Sequence, residues 1–180
     1  MNRLISDTMS GVVLMGHGSP EMLQWRDDLP TPRPGPGDVL IRITAAAVNN
    51  TDVNTRLAWY SKGNAASDDA SWSSKPLVFP RIQGADACGE IVDVGRDVDR
   101  SRIGERVLVE PCIRVADGER LSPAWYFGSE CDGGFAQYAR VAACHAHPVN
   151  STLTDHELAS FPCSYSTAEN MLTRSRVGEG

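Results

Sequence analysis

Alternation of apolar and polar positions is clearest over residues 39–44, where Val39, Ile41 and Ile43 fall on one face and Arg42 and Thr44 on the other. A period of two predicts a half-buried strand. Within residues 80–95 a β-branched run is bounded by Gly84 and Gly95 and interrupted by Gly89, which predicts a strand entered through a bulge or close backbone approach and left by a turn. Shorter apolar runs at 11–15 and 22–25 flank Gly16-His17-Gly18-Ser19-Pro20, so two strands joined by a turn are expected, with His17 exposed in it. Val107 to Val109 reads as a short strand stopped near Pro111, and Gly133-Gly134 as a turn feeding an alternating strand that reaches Val141.

Between these elements lie breakers. Pro30, Pro32, Pro34 and Pro36 supply no ladder donors, so residues 29–38 are predicted to be an extended surface connector. Residues 61–75 are rich in Ser, Asp, Ala and Gly and read as a long polar loop, with Trp59 and Trp72 able to fold it onto a surface. Residues 112–131 show no period and are expected to be irregular. After residue 47, Asn49, Asn50, Thr51 and Asp52 offer N-caps for a short helical turn, Thr154 and Glu157 form the pattern of a capping box, and a further helix is expected from Phe161 or Pro162 to about Arg174. No internal repeat is present. Many short strands separated by Gly/Pro turns predict a mainly β, barrel-like domain with a few short helices.

Composition changes this picture little. The 180 residues suffice for one sizeable core, with 41% hydrophobic and 22% charged residues, and no apolar run approaches the roughly 20 residues of a membrane helix. A net charge of −6 opposes a phosphate-tracking role, so neither nucleic acid nor membrane is expected as a partner. Cys88, Cys112, Cys131, Cys144 and Cys163 form no C-x-x-C pair, and free thiols in a reducing cytoplasm are expected.

The order P-x-x-x-G-x-D-x-x-G-x-I-V-x-V-G from Pro80 to Gly95, with Gly104-Glu105-Arg106-Val107 after it and G-G-x-A-x-Y from Gly133 to Tyr138, resembles the catalytic-domain signature of the medium-chain dehydrogenase/reductase superfamily. The resemblance implies a GroES-like β-barrel domain over residues 10–160; residues 1–9, without periodicity at their start, read as a loose leader, and 161–180 as a helix and linker. It also implies a doubly wound Rossmann domain that this chain does not contain. Gly178-x-Gly180 is only the start of a phosphate loop, with no strand before it or helix after it, and reads as linker.

The superfamily has a zinc branch and a zinc-free branch. Zinc catalysis uses three protein ligands and an open fourth position. By the family pattern the ligand positions fall on Asn49, Ala85 and Cys163, so that even with Asp86 nearby the set cannot hold zinc, while Cys112 and Cys131 lack the short spacing of a structural zinc lobe. Val48-Asn49 with Asp52 instead resembles the V-N-x-x-D of zinc-free quinone-reductase-like enzymes, with Tyr60 where those place an active-site tyrosine. The implied catalytic residues are therefore Asn49, Asp52 and Tyr60. Asn49 and Tyr60 would donate to a carbonyl oxygen as hydride arrives.

Taken without the resemblance, the same residues favour capping by Asn49 and backbone bonding by Asp52. Thr167 falls where the family contacts the nicotinamide amide, or is a mid-helix threonine bonded back to a carbonyl. Cys163 reads as a buried thiol, and His145, His147 and His156 as surface histidines. The expected function is hydride transfer from NADP or NAD to a quinone, enone or related carbonyl in a homo-oligomer, without zinc. The alternatives are a non-catalytic GroES-like assembly module and a zinc-type alcohol dehydrogenase fragment with a degenerate metal site.

Overall fold

The computed structural model describes residues 4–61, 71 and 76–178. Most of the polar loop expected over 61–75, Trp72 included, lies outside the described residues. In chain order the elements are β1 (Thr8–Leu14), β2 (Leu23–Pro30), β3 (Asp38–Ala47), α1 (Asn50–Arg56), β4 (Arg81–Ile82), β5 (Asp86–Val94), β6 (Arg106–Val109), β7 (Cys112–Ala116), β8 (Glu119–Tyr126), β9 (Tyr138–Ala142), β10 (Ala146–Pro148), α2 (Asp155–Leu158) and α3 (Pro162–Arg174). They form a five-stranded sheet in the order β10-β6-β5-β3-β9, a three-stranded sheet β2-β1-β4 and the hairpin β7-β8. Mainly β with short helices is thus the observed class.

Residues 134–137 stitch the two larger sheets together. Val12 donates its N–H to the Phe135 carbonyl at 2.8 Å, Gln137 donates to Ser10 at 3.0 Å, and Ile43 donates to Gln137 at 2.9 Å. A short segment thereby satisfies backbone groups on β1 and β3 at once and curls the sheets into a half-barrel. Its filling is the apolar face read from the alternation: Val39 and Ile41 pack with Ile91, Val107, Val109 and Phe127, all nearly inaccessible. A second cluster of Ala45, Cys88, Leu158 and Ala159 seats α2 against β3 and β5.

At Gly89 β5 passes too close to β3 for a side chain. A Cβ there would lie 2.4 Å from the Arg42 carbonyl oxygen, and the register shifts beside it, between Ile43 and Ala45 of β3. This bulge lies inside the strand rather than at its entry, where the sequence predicts one, and its extra residue, Thr44, sits on the partner strand.

Residues 112–131 are not irregular: they hold the β7-β8 hairpin. Ala116 pairs with Glu119, leaving the two-residue turn Asp117-Gly118 with φ of 50° and 80°. Asp-Gly is a favoured pair for a turn with two left-handed residues, and it is the sequence signal for this hairpin. The proline connector also starts later than expected, because Leu29 and Pro30 pair with β1 on an edge strand, where a proline costs no ladder bond. Among the described residues no helix is long and apolar enough to cross a membrane.

Two of the four histidines depart from the surface role expected of them. His145 is 3% exposed: its Nε2 accepts from the Arg114 and Val115 amides at 3.0 and 3.1 Å, and its Nδ1 lies 3.1 Å from Glu110. Two backbone donors on Nε2 require the proton on Nδ1, where it is donated to the carboxylate. The imidazole thus ties the β6 end to β7. His17 is half-buried, with Nδ1 2.9 Å from the Thr55 carbonyl and its ring edge against Phe79.

Candidate active-site corner

β3 ends at Ala47 and the chain turns through Val48 and Asn49 into α1. Asn49 is extended (φ −114°, ψ 160°) and caps the helix in a capping box with Asp52. Its Oδ1 accepts from the Thr51 amide at 3.1 Å, its backbone N–H donates to Asp52 Oδ2 at 2.9 Å, and its Nδ2 donates to Asp86 Oδ2 at 3.0 Å. The amide orientation is forced, since a flip would set oxygen against carboxylate and NH2 against N–H.

Asp52, 5% exposed, reaches across to the turn before β5. Its Oδ1 accepts from the Gly84 and Ala85 amides at 3.1 and 3.2 Å, and Gln83 Nε2 donates to its carbonyl at 3.0 Å. One carboxylate therefore binds three backbone donors and locks α1 to this turn. The turn itself needs glycine. Gly84 has φ +107°, and a Cβ there would stand 2.7 Å from the Phe135 ring and amide nitrogen. The motif's first glycine and its aspartate at position 86 thus serve different ends of the same corner.

Asp86, 2% exposed, opens β5. Its Oδ1 accepts from the Cys163 amide at 2.6 Å in the first turn of α3, whose own N-cap, Phe161, contributes no side-chain bond. Cys163 Sγ lies 2.9 Å from the Tyr126 hydroxyl at the end of β8. Tyr60 joins from the far end of α1: its hydroxyl donates to Thr51 Oγ1 at 3.3 Å and accepts from Asn54 Nδ2 at 3.4 Å. Trp59 packs edge-on against it with ring centroids 5.4 Å apart.

Burial governs the electrostatics. It raises the Asp52 carboxyl above the ordinary aspartate range against the pull of three amides, and the Asp86 charge raises it further. Burial likewise raises Asp86, against the bonds from Cys163 and Asn49. The Cys163 thiol is pushed up by burial, offset in part by the Tyr126 hydrogen bond, with Asp86 and Asp52 raising it again. The Tyr126 phenol is raised by burial, then by its bond to Cys163. A protonated thiol beside a neutral phenol follows.

Such a donor set does not fit a catalytic zinc ion. Asn49 turns its NH2 toward Asp86 and spends its oxygen on α1, Ala85 has no donor atom, and both Asp86 oxygens already accept hydrogen bonds, which leaves the Cys163 sulfur alone of the expected ligand set. Among the described residues no group of three His, Cys, Asp or Glu side chains could hold a metal. Cys112 is half-buried, and burial pushes the Cys131 thiol up to about 12.

The corner brings together Asn49, Asp52 and Tyr60 and adds Asp86 as an organising carboxylate and Tyr126, which periodicity does not mark. Thr167 is exposed on α3 with its hydroxyl donated to the Cys163 carbonyl at 2.7 Å, the back-bonded arrangement; its oxygen lone pairs remain as acceptors. A cavity of about 620 Å³ beside Met9, Leu29, Arg33 and Arg81 shares no residue with the corner.

Residues 35–151 match the alcohol dehydrogenase GroES-like domain family. L-threonine 3-dehydrogenase of Rhizobium rhizogenes is 27% identical over 168 residues, covering 89% of this chain and 46% of that protein. A Sinorhizobium meliloti crystal structure, provisionally named an alcohol dehydrogenase, is 44% identical with a TM-score of 0.83 over 98% of this chain and 49% of its own. The quinone oxidoreductase of Coxiella burnetii, at 24% identity and a TM-score of 0.71 over 96% of this chain and 47% of its own, shares the fold. The chain spans about half the length of the relatives it matches.

Proposed function

Since the chain belongs to the alcohol dehydrogenase GroES-like family of the medium-chain dehydrogenase/reductase superfamily, we propose that it is the substrate-holding half of an NAD(P)H-dependent oxidoreductase that reduces a quinone, enone or similar conjugated carbonyl without catalytic zinc. The observation that carries this reading is the Asn49 amide. Its oxygen is committed to α1 and one N–H to Asp86, which leaves a second N–H in a half-buried corner as a preorganised donor. Asn49 is thus cap and candidate oxyanion donor at the same time, through opposite ends of one group.

NADPH or NADH, when bound, would supply the hydride, and solvent the proton that completes the reduction. Asn49 donates to the carbonyl oxygen on which charge develops, and Tyr60 becomes the second donor by turning its one hydroxyl proton from Thr51 Oγ1 to the substrate. Asp52 acts by fixing Asn49 and the turn before β5 in place. Thr167 would accept from the nicotinamide carboxamide. Residues 10–160 hold the substrate and 161–180 lead toward the cofactor-binding half. Unpaired thiols at all five cysteines suit a reducing cytoplasm, and a homo-oligomer is the expected assembly.

A second reading comes from the curated relatives, whose name is L-threonine 3-dehydrogenase: oxidation of a hydroxyl rather than reduction of a conjugated carbonyl. To separate the two, the chain is joined to the second half of the Sinorhizobium meliloti relative and assayed with NAD(P)H plus quinones and enones, and with NAD(P)+ plus L-threonine. Turnover of the conjugated carbonyls without added metal supports the proposal. Turnover of threonine alone, dependent on zinc, contradicts it.

A further inference from the structure

We propose that Asp86 is a positioning residue that holds the Asn49 amide and the first turn of α3 in a single register, so that the orientation of the donor depends on the seating of a helix 77 residues downstream of Asp86. The relevance to turnover rests on the role proposed for Asn49; the bridge itself stands on geometry. Asp86 Oδ2 accepts from Asn49 Nδ2 at 3.0 Å while Oδ1 accepts from the Cys163 amide at 2.6 Å.

Neither bond has a substitute. α3 begins without a cap of its own, because Phe161 has no side-chain acceptor and adopts helical φ and ψ. The Cys163 amide is one of the orphan donors that every helix N-terminus carries, and it is satisfied from another element rather than from the chain just before it. Asn49 has its oxygen fixed by Thr51, so its NH2 is turned toward Asp86, its one hydrogen-bond partner among the described residues.

The groups facing the Asp86 carboxylate are Asn49, at the N-cap of α1, and Cys163 of α3 by hydrogen bond, with Asp52 of α1 and Tyr126 of β8 within electrostatic reach. A carboxylate has acceptors on both oxygens, and that is the property the bridge uses. An asparagine at 86 retains one acceptor and turns an NH2 toward the other partner, so it can serve Cys163 or Asn49 but not both.

The test is nuclear magnetic resonance on the 180-residue chain, reading hydrogen exchange of the Cys163 amide and the side-chain NH2 shifts of Asn49. In the unsubstituted chain the Cys163 amide is protected and one Asn49 proton lies downfield, as for a bond to a carboxylate. Asp86→Asn is expected to lose one of these two signals and keep the other, the retained amide exchanging within about twofold of its original rate. Asp86→Ala loses both, with Cys163 exchange about fivefold faster or more, the scale of a lost cap.

An unprotected Cys163 amide or an exposed-type Asn49 amide in the unsubstituted chain overturns the bridge without any variant having to fold. Both signals surviving in Asp86→Asn overturns it as well. Turnover in the joined enzyme then separates the two ideas. If Asn49→Ala slows the reaction and Asp86→Asn does not, the positioning role fails while the proposed function stands. If Asn49→Ala has no effect while the two signals behave as described, the proposed function fails and the bridge stands.

Discussion

Replacing Asp52 by alanine removes the acceptor for three backbone donors at once, the amides of Asn49, Gly84 and Ala85. Gly84 and Ala85 are buried, so water cannot take the place of the carboxylate, whereas Asn49 is half-buried and can be partly rehydrated. An unsatisfied buried donor costs about 1–3 kcal/mol, which gives about 2–6 kcal/mol for the buried pair. Relief of the desolvated carboxylate offsets part of this, because burial already disfavours its charge. The net expectation is a loss of about 2–4 kcal/mol. For a chain of this length a destabilisation of 1 kcal/mol lowers Tm by about 2–4 °C, so the shift should be about 5–15 °C. Urea and thermal unfolding measure it, with Asp52→Asn, which can still accept from Gly84 and Ala85, losing less. A loss below about 0.5 kcal/mol, the range of ordinary surface changes, would refute the claim that this side chain locks α1 to the turn before β5.

Two further outcomes follow from the same corner. Because the native Asp52 and Asp86 carboxyls are raised above the unfolded value of about 3.9, the native state binds their protons more tightly. Their contribution is then fully present below the unfolded pKa and is lost as pH rises through the raised native value. The stability gap between the unsubstituted chain and Asp52→Ala should therefore be wider at pH 4 than at pH 7 in paired urea titrations; a gap that widens toward pH 7 would show that the amide bonds outweigh burial. Protein purified without added metal should contain no stoichiometric zinc by elemental analysis, and one zinc per chain, lost on Cys163→Ser, would sink the zinc-free assignment.

The legible parts of the fold were those encoded locally. Alternation at Val39, Ile41 and Ile43 marked β3 because one of its faces meets a single core, and Thr154 with Glu157 marked the start of α2 because a capping box is complete within four residues. The cap at Asn49 was local in the same way. What could not be read depends on distance. Asp86 owes its role to a helix far along the chain, and the Asn49 side chain is a donor only because Asp86 faces it. His145 is buried because β7 amides close over it, and β7 was itself hidden by a short burial pattern and an unheeded Asp-Gly turn. Family resemblance placed Asn49 and Tyr60 in one site, whereas the residues alone favoured capping; the geometry lets one amide serve both.

The central claim, that Asn49 is a reaction donor and not merely a cap, is tested most directly by comparing Asn49→Ala with Asn50→Ala in the joined enzyme, as turnover of a conjugated carbonyl per folded molecule. Asn50 is the exposed first residue of α1, while Asn49 is the half-buried cap facing Asp86. Loss of one preorganised donor to a developing oxyanion typically slows turnover about a hundredfold or more, and loss of the cap costs about 1 kcal/mol of stability. Asn49→Ala should show both effects and Asn50→Ala neither. Equal small losses of stability in the two variants, with turnover per folded molecule unchanged, would contradict the account and leave Asn49 as a helix cap alone.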